Sequence, residues 1–210
     1  MGSNQFYKNK ALASLDGKWS TAIIATLIYL VLGMGISWTI TTPMGDNLTM
    51  SYSTSGIWTL ICLPLGWGFT VYFLRLIRNE ELGYGHLFDG YKDFVRIFVT
   101  ELLIMIATAI GFCLLIIPGF IICAGLLMTP FIMKDDEQIG YIDAMKKSWE
   151  LTNGHKADLI WLFLSFIGWI ILAGLTFCIG FLFLYPYMQS ALAHVYEDLK
   201  AEKPEVFQII

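Results

Sequence analysis

Residues 151–159 read LTNGHKADL, and between Asp158 and Glu197 there is no Asp, Glu, Lys or Arg. An Asn-Gly pair and a cation therefore stand at the door of a long apolar run. The same arrangement occurs as SLDGKW at 14–19 and as LFDGYKDF at 87–94. No other Asp-Gly or Asn-Gly pair occurs in the chain, and each of the three precedes a hydrophobic stretch. The chain reads as one unit written three times.

Composition sets the solvent. The 210 residues are 57% hydrophobic and 14% charged, with seven Trp, ten Tyr and fifteen Phe, and the mean hydropathy is +0.65. Soluble domains carry nearer a quarter charged residues, so the chain reads as an integral membrane protein. The net charge of −4 says little about partners, and no basic stripe points to nucleic acid. Cys62, Cys113, Cys123 and Cys178 lie in or beside apolar runs without CxxC spacing, which speaks for small core hydrophobes and against a metal site. Cys113 and Cys123 can approach the same membrane face, which leaves a disulfide between them open.

A helix crossing about 30 Å of hydrocarbon needs roughly 20 apolar residues. Six segments answer: Trp19–Thr41, Gly56–Leu74, Phe94–Ile117, Phe120–Met133, Leu159–Phe177 and Phe181–Tyr196. The break IIPG at 116–119, holding Pro118, divides the third from the fourth. The turn CIGF at 178–181, holding Gly180, divides the fifth from the sixth. In this arrangement all thirteen Lys and Arg fall on one side, and the other side carries only Asp46. The positive-inside rule then places both termini in the cytoplasm. The retained first helix is too long for a signal-peptide core.

The three Gly positions have a physical task in this scheme. Glycine just past a helix end can take the left-handed turn that stops the helix, and Asp or Asn tolerates it. Gly17, Gly90 and Gly154 would thus each end a short cytoplasmic helix lying in the membrane plane. The third such helix is the clearest, with Ile139, Ile142, Met145 and Trp149 at helical spacing. The expected fold is all-α: a single 1–210 transmembrane domain of six helices in three hairpins, each preceded by an in-plane helix. The repeats would be 1–78, 79–137 and 138–203.

The stretch AMKKSWELTNGHKADLIWLFLSFIGWIILAGLTFCIGFLFLYPYMQSALAHVYEDL (144–199) resembles a family of bacterial integral-membrane proteins known only as a domain of unknown function. Its KKS, GHK, LSFIGW, YPY and YEDL elements carry the resemblance, as do IIPG at 116–119 and the start near Gly17–Trp19. The chain is also distantly similar to the membrane domain of some glycerophosphodiester phosphodiesterases, without the catalytic domain. The resemblance implies a bacterial cytoplasmic membrane and a helical fold, and it supplies no activity.

Glu101 is the ionisable residue that stands out, about 12 Å into the third helix. An acid at that depth is costly and normally faces the bundle with a partner. His194 and Arg75 are candidates for that partner, and Tyr187 and Gln189 could complete a polar site. One reading is proton or cation handling; the other is structural hydrogen bonding. Pro64, Pro130 and Pro186 lie in the second helix of each hairpin, where they either kink the packing or open a cavity. Lys146, Lys147, His155 and Lys156 could attract anionic lipid. No HExxH, GxSxG or close intramembrane acidic pair is present, so an enzyme is not expected, nor is a cofactor. The leading expectation is a non-enzymatic membrane protein acting through lipids or a protein partner at its cytoplasmic face. A small permease using Glu101 is the alternative, and a lipid-moving module a third.

Overall fold

The computed structural model describes residues 2–34, 39–43, 49–53, 55–176 and 179–208. Asp46, Phe177 and Cys178, which entered the reading above, lie outside them. The fold is helical throughout, apart from one two-stranded hairpin among the described residues.

The first unit holds α1 (Asn4–Leu15), α2 (Trp19–Met34) and α3 (Ser55–Ile77). Strands β1 (Thr39–Pro43) and β2 (Thr49–Ser53) pair antiparallel between α2 and α3, with Thr39 opposite Ser53. The expected helix to Thr41 therefore does not reach its end: helix is described to Met34, and Thr39–Pro43 is strand. Thr and Ile at 39–42 favour extended backbone once the apolar helical run ends. The second unit holds a 3-10 helix, η1 (Tyr84–Tyr91), then α4 (Phe94–Leu114), α5 (Ile116–Leu126) and α6 (Thr129–Asp135). The third holds α7 (Tyr141–Leu151), α8 (Lys156–Leu164), α9 (Ile167–Leu175) and α10 (Phe181–Glu202), and a short α11 (Glu205–Gln208) follows.

Four segments are long and apolar enough to cross a membrane: Trp58–Ile77, Phe94–Leu114, Ile116–Asp135 and Lys156–Leu175. A fifth is reached only if α1 and α2 are joined, and they meet at 99°. At 16 residues α2 spans about 24 Å, short of the hydrocarbon thickness. Gln189, Ser190, His194 and a charged end dilute α10. Large apolar side chains such as Val95, Ile110, Ile117, Trp161 and Ile171 face outward, which in water would be intolerable over such an area. The molecule is a membrane protein.

Proline and glycine act differently from place to place. Pro64 and Pro186 lie inside α3 and α10. Pro130 begins α6, and Pro118 sits in the first turn of α5, positions where the missing N–H costs no hydrogen bond. Gly17 and Gly154 take positive φ (71° and 86°), as an Asx-Gly helix stop requires. Gly90 does not: it lies within η1 and is packed, not turned. A Cβ there would stand 2.2 Å from the Pro64 carbonyl oxygen, and one on Gly68 would stand 2.0 Å from that of Leu87. Gly180 is likewise right-handed, and it lets α10 approach Ala173 of α9. The α8–α9 break at Ser165–Phe166 has no counterpart in the sequence reading. The Ser165 hydroxyl donates to the Leu162 carbonyl at 2.6 Å, a local bond that competes with the helical ladder. Cys62, Cys113 and Cys123 are free thiols, which removes the disulfide left open above.

The backbone contacts at Gly68 and Gly90 cannot be relieved by side-chain rotation. Gly68→Ala and Gly90→Ala should each cost about 1–3 kcal/mol, read as a lower thermal midpoint in detergent. Gly33→Ala, with nothing within 4 Å of the new Cβ, should leave it unchanged.

Candidate functional site

A spanning helix must satisfy every backbone polar group without help from lipid. At the breaks in this chain, side chains of the short helices do so. The Tyr91 hydroxyl at the end of η1 donates to the Ile61 carbonyl, 2.8 Å away, beside Pro64. Between α5 and α6 the Thr129 hydroxyl donates to the Leu126 carbonyl at 2.7 Å. The Gly125 carbonyl accepts from Ser148 at 2.8 Å and from Thr152 at 3.3 Å, while Ser148 accepts from the Met128 N–H. In this way η1 is fastened along α3, and α7 along α5 and α6. The N-terminal α1 lies along α10, with Lys10 on Asp198 at 3.1 Å and Ser14 on His194 at 2.5 Å.

The docking of α7 determines which of its faces is left open. Its buried residues are Ala144, Ser148 and Leu151. The apolar stripe Ile142, Met145 and Trp149 is thereby turned away from the core. Together with Lys146 it faces Leu103, Ile106 and Ala107 of α4 and Leu126 of α5 across a groove of about 480 Å³. Trp149 closes one end, its ring so near Gly125 that a Cβ there would lie 2.3 Å from it. The Lys156 ammonium lies 3.3 Å from the centroid of the Trp149 ring, and Lys146 is exposed beside Asp143 at 3.5 Å. The result is an apolar slot lined by one lysine, Lys146, and by an indole that carries a second ammonium, Lys156, on its ring. A second, almost wholly apolar groove of about 320 Å³ lies where Leu12 and Trp19 meet α9 and α10, walled by Trp169, Phe183 and Tyr187.

Two charge clusters pin the helix ends. Arg78 holds Asp135 with both terminal nitrogens at 2.6 and 2.9 Å and donates through Nε to Glu197 at 2.6 Å. Tyr196 and Lys200 also donate to Asp135. The second cluster gathers Arg75, His86 and Lys92 around Asp89, at 3.0, 2.9 and 2.7 Å. Burial alone would raise the Asp89 carboxyl, but Lys92, His86 and Arg75 outweigh it and hold it below the ordinary value.

The polar residues singled out in the sequence do not converge. Arg75 is taken by Asp89, and His194 by Ser14. Tyr187 packs edge-on against Phe166 at 5.3 Å, and the Gln189 Oε1 is buried without a partner. Among the described residues, none of these bonds to Glu101. Arg78 and Asp135 were missed, because the sequence presents them only as charges beside apolar runs. The groove was half visible: the stripe on α7 was legible, but not that it would remain uncovered.

Residues 105–203 match a family described as a protein of unknown function, DUF975. The match runs from within α4 to just past α10 and so includes most of the α4–α5–α7 groove, whereas Glu101 and α1–α3 lie outside it. No curated protein and no solved structure matches the chain, so nothing among them supports the distant likeness to the glycerophosphodiester phosphodiesterase membrane domain.

Asp135→Asn should cost about 3 kcal/mol by leaving Arg78 and Lys200 facing a neutral amide. The double change Arg78→Met with Asp135→Leu should cost less than Asp135→Asn alone, measured by thermal unfolding in detergent. Asp89 gives a pH prediction. Its folded value is depressed, so its contribution is fully present above the ordinary carboxylate pKa of about 3.9 and is lost as pH falls through the lower folded value. The thermal midpoint of the native protein should drop in that acid window, and that of Asp89→Asn should drop less.

Proposed function

We propose that the protein is a non-enzymatic, multi-pass protein of the bacterial cytoplasmic membrane that acts by holding an anionic phospholipid at its α4–α5–α7 groove. The observation carrying this reading is the uncovered stripe Ile142–Met145–Trp149, which faces an apolar slot lined by Lys146, with Lys156 stacked on the Trp149 ring. An acyl chain matches the slot, and a phosphate at the interface matches the ammonium groups. Indole at that rim is the side chain that membrane interfaces favour. The GHK segment of the sequence thus becomes part of a headgroup contact, and the neighbouring cytoplasmic connection is the surface we assign to a protein partner.

The same proposal includes six spans, with α2 and α10 completing the set and both termini cytoplasmic. Support comes from the one-sided distribution of Lys and Arg. The threefold repeat of 1–78, 79–137 and 138–203 is also part of it. Its support is the order of docking: η1 of the second unit lies on α3 of the first, α7 of the third on α5 and α6 of the second, and α1 of the first on α10 of the third. A ring of three like units would produce this pattern. The permease reading rests on a separate observation, the lack of a partner for Glu101 among the described residues.

The test is to purify the protein from its own membrane in mild detergent and measure retained lipid by native mass spectrometry. Stoichiometric anionic phospholipid is expected. Ala107→Trp, which fills the slot, and the pair Lys146→Glu and Lys156→Glu should each lower retention several-fold while leaving the thermal midpoint near that of the native protein. Equal retention in all three proteins would overturn the reading.

A further inference from the structure

Glu101 lies on the inner face of α4. At 100° per residue, Ile97, Glu101, Ile104, Thr108 and Gly111 share one side of the helix, while Val95, Ile106 and Ile110 occupy the other. Ile97 and Gly111 are buried, and the three residues opposite are exposed to the lipid side. Glu101 therefore sits on the bundle side of α4, half-buried, within electrostatic reach of the Tyr29 hydroxyl of α2, as are Cys62 of α3 and Tyr185 of α10. The Tyr29 ring is fixed by stacking on Phe69, 4.2 Å between centroids. Among the described residues, Glu101 makes no hydrogen bond and no ion pair.

The cations that could neutralise it are committed elsewhere. On α4 itself, Arg96 donates to the Asp136 and Ile139 carbonyls and pairs with Asp93. On α3, Arg75 is held by Asp89. On α7, Lys146 pairs with Asp143 and Lys147 with Asp136. The remaining titratable groups on the elements packed against α4 are neutral or acidic: Cys62 and Tyr72 on α3, Cys123 on α5, Tyr84, Asp89 and Tyr91 on η1, and Tyr141 and Glu150 on α7. A carboxylate left charged in such surroundings costs at least a few kcal/mol, and among the described residues no free cation offsets that cost.

We propose that Glu101 is an exchangeable proton site inside the helix bundle, its carboxyl neutral in the resting protein. In the exchange, the O–H bond breaks, the electron pair stays on the carboxyl oxygen, and the proton passes to a water molecule entering between α2, α3 and α4. The site is independent of the lipid groove, which Glu101 does not line. It gives the chain a group that can take up and release a proton inside the bundle.

Dicyclohexylcarbodiimide distinguishes this state, because it enters membranes and reacts with protonated carboxyl groups in apolar surroundings. Native membranes containing the full chain would be labelled across a pH series, and the modified residue located by peptide mass spectrometry. The expected result is labelling at Glu101 that declines as pH rises and is absent in Glu101→Gln, with a water-soluble carbodiimide labelling it far less. Glu101→Gln should also leave the thermal midpoint near neutral pH unchanged, since it replaces a neutral group by a neutral one of the same shape. No label at Glu101 at any pH, equal labelling by the water-soluble reagent, or a lower midpoint in Glu101→Gln would overturn the proposal. None of these readouts depends on lipid retention.

Discussion

Arg78 is the point at which the ends of α3, α6 and α10 meet. Its guanidinium stands just past the end of α3 and reaches Asp135 at the end of α6 and Glu197 near the end of α10. Arginine suits this place because its planar fork binds one carboxylate through two nitrogens and leaves Nε for another. Asp135 sits unfavourably at the negative end of a helix dipole, and Arg78, Lys200 and Tyr196 together offset that. Removing any one partner would leave a charge in a partly dry setting. The cluster therefore constrains relative position and rotation of three helices far more than apolar packing could, since lipid tails compete evenly for apolar faces.

With the helix ends held, the breaks within the spans become the next constraint. Each one frees backbone carbonyls, and lipid offers nothing to bond them. Tyr91 answers at Ile61, and Ser148 and Thr152 answer at Gly125. The glycines make these answers sterically possible. Without Gly68 and Gly90, η1 could not lie on α3 closely enough for the Tyr91 hydroxyl to reach. The short helices are therefore parts of the spanning structure as much as of its surface.

The sequence carried this arrangement unevenly. Spans of plain apolar composition, such as Phe94–Leu114, were legible almost to the residue, because the lipid environment selects on composition alone. Gly17 and Gly154 were legible as left-handed stops, since an Asx-Gly pair after a short helix has few other uses. Gly90 looked the same in sequence, yet its neighbour in space is a carbonyl, and such contacts leave no local trace. His194 was placed beside Glu101 by counting residues, but α1 folds back along α10 and offers it Ser14. The strands at 39–43 and 49–53 were hidden inside what read as helix and loop, and the break at Ser165 inside what read as one continuous helix.

The face of α7 shows how these constraints lead toward function. An amphipathic helix in isolation would bury Ile142, Met145 and Trp149 and expose its serine and threonine. Here the carbonyl of Gly125 demands the reverse, and Ser148 and Thr152 turn inward to meet it. The apolar stripe is then displaced to the outside, opposite α4, with Lys146 beside it and Lys156 stacked on Trp149. Satisfying one broken helix thus creates an apolar slot that the protein itself leaves open. In a membrane such a slot does not stay empty, and the molecules at hand to fill it are lipids. The groove is in this sense a consequence of the break between α5 and α6, and a chain that repaired the break would have no reason to present it.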